Sequence, residues 1–178
     1  MTADPSAAPA YEPVVALAAD LERDLGTDVA AGGIVLRLGA SRYAVAMADV
    51  AEVAPVPEVT RVPGAPAWLA GVANWRGRIL PVLDLRPLLA AEVVPLASSA
   101  RIVVLSRGDL VAGVLAEAVP GVHDGELAEQ TPPPPTIGAD AALLVTGQVA
   151  DAIGPLAVLD VGAVLALRDR VGRRRHGA

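Results

Sequence analysis

Cysteine is absent from the 178-residue chain, which excludes disulfides, thiolate nucleophiles, Cys-ligated zinc and iron–sulfur clusters. Lysine is absent too, so all 14 basic residues are arginine. A Walker-type phosphate loop, a Schiff-base lysine and a Ser-Lys dyad are thereby excluded. There is no phenylalanine, and the aromatic residues are Tyr11, Tyr43, Trp68 and Trp75. Only two histidines occur, His123 and His176, the second in the terminal tail. Most metal and triad chemistry is excluded before any motif is considered.

The chain carries 14 positive against 20 negative residues, a formal net charge of −6. A nucleic-acid binder would need basic excess and stacking aromatics, and a small-barrel nucleic-acid binder is accordingly disfavoured. Although 53% of the residues are hydrophobic, Arg37, Asp49, Arg76, Asp84 and Glu92 break the apolar stretches. None approaches the ~20 residues a bilayer requires. Met1 to Glu12 carries Asp4 and no basic residue, unlike a signal peptide. These features predict a soluble cytoplasmic protein without membrane insertion. At this length, folding buries roughly 70% of the unfolded chain's surface, so no staples are needed.

Residues 1–30 read as an extension: an Ala/Pro-rich, disordered start, then Val14, Leu17, Ala18, Leu21 and Leu25 at helical spacing. Beyond Gly32-Gly33 the pattern turns to β. Ile34–Leu38 and Tyr43–Met47 predict a hairpin, and Asp49 is placed to cap a helical turn over Val50–Val53. A Pro-punctuated connection runs from Pro55 to Pro66, followed by Gly71–Asn74, a turn at Trp75-Arg76-Gly77 and a strand at Arg78–Leu83. Asp84 opens a helical turn through Leu89. The order then recurs, with a second hairpin over Ile102–Leu105 and Leu110–Leu115. A shift of 68 aligns Ile34 with Ile102, Val35 with Val103, Ala44 with Ala112 and Asp49 with Glu117. A shift of 76 aligns Leu80 with Leu156, Val82 with Val158, Leu83-Asp84 with Leu159-Asp160 and Leu89 with Leu165. Two units, about 33–90 and 101–166, are too few for a solenoid and predict two small β-barrels side by side. Residues 168–178 form a basic tail.

No catalytic residue, metal ligand or cofactor site emerges. Asp84 and Asp160 are the obvious carboxylate pair, but each follows a strand and precedes a helical run at the same place in its repeat, so both read as caps. Pro81, inside an apolar strand, predicts an edge or a bulge. His123 beside Asp124 lacks a third group and reads as a solvated loop histidine. Pro132–Pro135 reads as a stiff connector.

One segment stands above this background: Gly71-Val-Ala-Asn-Trp-Arg-Gly-Arg-Ile-Leu-Pro-Val-Leu-Asp-Leu-Arg86. It resembles the signature G-[VI]-x-N-L-R-G-x-[IV]-x-P-[VI]-x-D-L-R of CheW-type domains, the coupling modules of bacterial chemotaxis. Trp75 stands where that family usually has Leu, and Arg101 where it usually starts a strand with an apolar residue. Arg42-Tyr43-Ala-Val resembles the family's second strand, and Val50-Ala-Glu52-Val53 its first helical turn. Arg61-Val-Pro63 with Trp68-Leu-Ala-Gly71 is similar to the approach to the signature. Gly113-Val-Leu-Ala-Glu117-Ala-Val119 resembles a second-half motif, and Gly154-Pro-Leu-Ala-Val-Leu-Asp160 the closing strand. The resemblance covers about residues 31–167.

The resemblance implies an all-β fold with short helices: two five-stranded SH3-like β-barrel subdomains around a shared apolar core. It implies a non-catalytic adaptor that couples transmembrane chemoreceptors to a CheA-type histidine kinase. The expected partners are the receptor's cytoplasmic hairpin tip, the kinase regulatory domain and other CheW-like domains in rings. The alternative is the same fold in another chemosensory pathway, such as pilus motility. Arg76, Asn74 and Val122 correspond to receptor-binding positions. Val50, Glu52 and Gly71 correspond to the kinase-binding face. Gly77, Pro81, Asp84 and Asp160 are expected in structural roles. Residues 1–30 and the tail are too short for a receiver or kinase, which implies a stand-alone version.

Overall fold

The computed structural model describes residues 32–173; the expected helix at 13–25 and the end of the tail lie outside them. The hairpin of β1 (Gly33–Leu38) and β2 (Ser41–Ala46) closes through Gly39-Ala40. That of β6 (Arg101–Arg107) and β7 (Leu110–Ala116) closes through Gly108-Asp109. In both, a glycine with positive φ, +62° and +59°, takes the first central position, where a two-residue loop matches the twist of its strands. The remaining strands are β3 (Val50–Pro55), β4 (Leu69–Trp75), β5 (Arg78–Leu83), β8 (Ala118–His123), β9 (Val145–Asp151) and β10 (Gly154–Leu159). Among the described residues two α-helices, α1 (Ala139–Ala142) and α2 (Val161–Arg173), accompany the strands.

The strands form two five-stranded sheets with corresponding orders, β8-β1-β2-β10-β9 and β3-β6-β7-β5-β4. The repeat is therefore real but exchanged between sheets. Each sheet takes the hairpin of one repeat and the last three strands of the other. Residues 33–90 and 101–166 consequently do not build one subdomain each. The parallel contacts that join the repeats are β2 with β10 and β7 with β5.

Pairing also corrects the offset between the repeats. Val158 pairs with Ala44 while Val82 pairs with Gly113, and Val35 faces Gly121 while Val104 faces Glu52. Residues 35, 44 and 52 thus correspond to 104, 113 and 121, an offset of 69 rather than 68. One residue matters because it turns every side chain to the other face of its strand. Val35 and Val104 each point into their own sheet's inner cluster, whereas Val103 joins the core between the sheets. Both faces of the hairpin strands are apolar, so the ungapped alignment had no alternation to fix its phase.

The shared core contains Leu36, Leu38, Tyr43 and Val45 from one sheet and Leu83, Val103, Leu105 and Val114 from the other. Val161, Val164, Leu165 and Leu167 of α2 close it. Each sheet curls around a smaller cluster of its own.

The sheets are not closed barrels. Between β3 and β4 the gap is spanned by the isolated bridge Thr60–Val72, and in the other sheet by Thr131–Gln148. Pro55 at the end of β3 and Pro57 just beyond it, and Pro132–Pro135 in the other connection, lack the N–H groups that would extend the ladder. Residues Val50–Val53 are strand, not helix: only the short 3-10 turn Met47–Asp49 precedes β3, which pairs antiparallel with β6. Residues 86–90 make a tight turn without becoming a helix. Residues 168–173 continue α2 rather than forming a tail.

Candidate protein-binding site

The β4–β5 hairpin ends in a two-residue turn, Arg76-Gly77, with Trp75 opposite Arg78. Both central residues have positive φ, +52° and +77°, which defines a type I′ turn. Glycine adopts that backbone freely, whereas arginine is strained there. The Asn74 side-chain oxygen accepts the Gly77 N–H at 2.9 Å and braces the turn. Arg76 is thereby displayed at the tip with its side chain 67% exposed.

Glu52 reaches this tip from β3, on the far edge of the same sheet. Its Oε2 accepts the Trp75 indole N–H at 2.8 Å and an Arg76 Nη2 N–H at 3.0 Å. The Arg76 guanidinium lies 5.1 Å from the centre of the Trp75 ring, within cation–π range. Trp75 packs on the inner cluster of its sheet, so the group is anchored from below.

The expected site residues do not fall on one face. Arg76, Asn74 and Glu52 share the tip, although Glu52 was grouped with Val50 and Gly71. Val50 is half-buried against the shared core. Gly71 is buried, at φ +152°, and a Cβ there would lie 2.2 Å from the Thr60 carbonyl oxygen. Its requirement for glycine is the close crossing of Thr60, and a partner would meet that crossing segment rather than Gly71. Val122 lies in β8 of the other sheet, half-buried and opposite Ile34.

Pro81 is not on an edge strand, since β5 lies between β4 and β7; it precedes the parallel ladder with β7, which starts at Val82. Asp160 accepts the Ala163 N–H at 3.0 Å at the start of α2. Asp84 accepts the Arg86 backbone N–H at 3.1 Å, but most of its bonding goes to the Arg86 guanidinium. That guanidinium gives it a fork of 2.9 and 2.7 Å and also donates to Glu117 and to the Val94 carbonyl. The Asp84 carboxylate, bonded to Arg86, raises that guanidinium's pKa, as does Glu117 more weakly. The Asp-Leu-Arg end of the signature includes Arg86, but nothing in that spacing shows that the arginine is buried.

His123 is buried rather than solvated, with Nδ1 3.3 Å from Asp151 Oδ1. Arg42 bonds Asp151 Oδ2 and the Gly154 carbonyl. Arg42 first and His123 second pull the Asp151 carboxyl down to about 2. Asp49 forks Arg107 at 2.9 and 2.6 Å instead of capping a helix. Among the described residues no three His, Cys, Asp or Glu side chains group to hold a metal, and no helix is long and apolar enough to cross a membrane. A cleft of about 480 Å³ between β2, β10 and residues 134–141 has Arg42 as its one charged lining residue, already committed to Asp151.

A family model for the CheW-like domain matches residues 32–169. The chain belongs to the CheW family. A CheW-family structure, the scaffolding protein TtCheW from Thermoanaerobacter tengcongensis, superposes with a TM-score of 0.65 at 26% identity, covering 72% of this chain and 88% of that one. Protein PilI of Pseudomonas aeruginosa is 38% identical over 57% of this chain and 58% of its own length. The chemotaxis protein CheW of Klebsiella aerogenes is 31% identical over 61% of this chain and 65% of its own. The chain thus spans under two thirds of the length of these two relatives. The CheW of Bacillus subtilis matches at 28% over 74% of this chain and 85% of its own length. The two-sheet, all-β architecture is that of the CheW family.

Proposed function

We propose that this CheW-family chain is a non-catalytic, cytoplasmic scaffold that couples a chemoreceptor to a CheA-type histidine kinase. The observation that carries the reading is the preassembled tip: an arginine held out on a strained turn, braced by Asn74 and paired with Glu52. Strain of this kind persists where the surroundings enforce it, and it concentrates at binding sites. Arg76 and Asn74, with Val122 on the other sheet, contact the receptor hairpin. Glu52 and Val50, with the segment that crosses Gly71, face the kinase regulatory domain. Two sheets of the same strand order permit head-to-tail contacts with other CheW-like domains, the kind of interface that closes into rings.

Calorimetric titration with the regulatory domain of the host's chemotaxis kinase tests this. Saturable binding, weakened by Glu52→Ala, is expected; no binding to any such domain of the host would remove the adaptor reading. The match to PilI favours a second reading, the same adaptor role in a pilus-motility pathway. Titration against that pathway's kinase domain separates the two.

A further inference from the structure

Glu52 receives two bonds on a single oxygen, and the two donors are held very differently. The Trp75 indole is half-buried against the inner cluster and cannot withdraw without unpacking. Arg76 is 67% exposed and reaches the carboxylate through one terminal nitrogen instead of a fork. An exposed pair of that kind is weak and salt-screened. Among the described residues, Arg76 Nε and Nη1 make no hydrogen bond. When Arg76 swings away, Glu52, only 23% exposed, keeps a charge-assisted bond from the indole. The costly outcome, a partly buried carboxylate left without a donor, is avoided. With an aliphatic residue at position 75, Arg76 would be the only donor to Glu52, and its release would strand the carboxylate.

We propose that Trp75 is a positioning residue that holds Glu52 so that Arg76 is free to fork a carboxylate on the partner. The partner surface is acidic, with an apolar side chain beside the carboxylate to meet Ile79. That residue stands opposite Asn74 in the hairpin and is 80% exposed. The inference rests on the receptor half of the adaptor reading and adds the chemistry of the contact.

The test titrates the purified cytoplasmic hairpin fragment of the host's chemoreceptor into the unaltered chain and four variants. Arg76→Ala loses affinity on the order of tenfold or more, and Arg76→Lys recovers only part of it. Trp75→Phe keeps the ring but deletes the N–H, so Glu52 recaptures Arg76 and affinity falls. The double variant Trp75→Phe/Glu52→Ala restores it, which a merely structural role for Trp75 does not predict. Unchanged affinity in Trp75→Phe, or no restoration in the double variant, overturns the proposal while leaving the adaptor reading intact. No binding by the unaltered chain overturns the receptor reading and the partner half of the inference together. The intramolecular half is read separately from the Trp75 indole N–H resonance. It shifts further in Glu52→Gln, which changes its acceptor, than in Arg76→Ala, which removes only the charge over the ring; equal shifts in both overturn it.

Discussion

The segments 75–89 and 151–165 are two copies of one design put to different uses. Each begins at a hairpin turn and continues as a strand flanked by two neighbours that runs into Leu-Asp. At the first turn, Trp75 and Arg76 clasp Glu52 on the opposite edge strand, and the arginine faces solvent. At the second, Asp151, the counterpart of Trp75, clasps His123 on the corresponding edge strand together with Arg42. All three of those side chains are largely buried. The first copy carries its strain in a positive-φ arginine; the second has Ala152-Ile153 at the tip and leaves positive φ to Gly154. Topology supplies a bond across each curled sheet, and the exposure of the bonded groups decides whether it is a buried lock or an open clasp. The aspartates diverge likewise: Asp84 holds a buried arginine, while Asp160, whose repeat has Gly162 in place of Arg86, caps a helix.

Unequal costs at equivalent positions test this comparison. Asp84→Ala removes the fork from the Arg86 guanidinium, which is 5% exposed and then keeps only Glu117 and the Val94 carbonyl, and is expected to cost about 3 kcal/mol in urea unfolding. Asp160→Ala removes only a cap, about 1 kcal/mol, and equal losses would show that the two ends are alike. Gly71 and Gly147 are also counterparts, each pressed against a threonine carbonyl, but a Cβ at Gly71 comes to 2.2 Å against 2.6 Å at Gly147. Gly71→Ala is expected to lose roughly 2–3 kcal/mol and Gly147→Ala less, by the same measurement.

The second clasp should show in acid. The Asp151 carboxyl is held at about 2 against an ordinary 3.8, so its stabilisation is fully present above its unfolded pKa. It is lost as pH falls through the folded value. Asp151→Asn lacks this contribution, so its stability deficit is expected to shrink from about pH 4 to about pH 2. A deficit independent of pH in urea titrations would break that assignment. The smallest expected effect is Arg76→Ala on stability, less than about 0.5 kcal/mol, because the pair it breaks is exposed. A larger loss would make the first tip a lock as well.

Much of this was legible in the residues. Glycine at turn positions and β-branched runs marked both hairpins, and the sixteen-residue signature placed Asn74, Arg76 and Gly77 in one turn. Val50-Ala-Glu-Val53 was misread because its apolar residues suit a helical turn as well as a strand. Only the pairing of Val53 with Val103 settles which. The link between Glu52 and Trp75 joins residues 23 apart on opposite sheet edges, and no local pattern signals it.

The sequence by itself determined the tight turns and the hairpins they close, the presence of a repeat and the absence of thiol and lysine chemistry. Each follows from composition, backbone preference or short-range spacing. Tertiary structure decided which repeat lent strands to which sheet, the one-residue phase between the repeats, and the fate of Arg86 and His123. Those outcomes depend on which surfaces meet: a strand apolar on both faces carries no mark of its partner, and a charge is buried only where distant segments deliver its counter-charge.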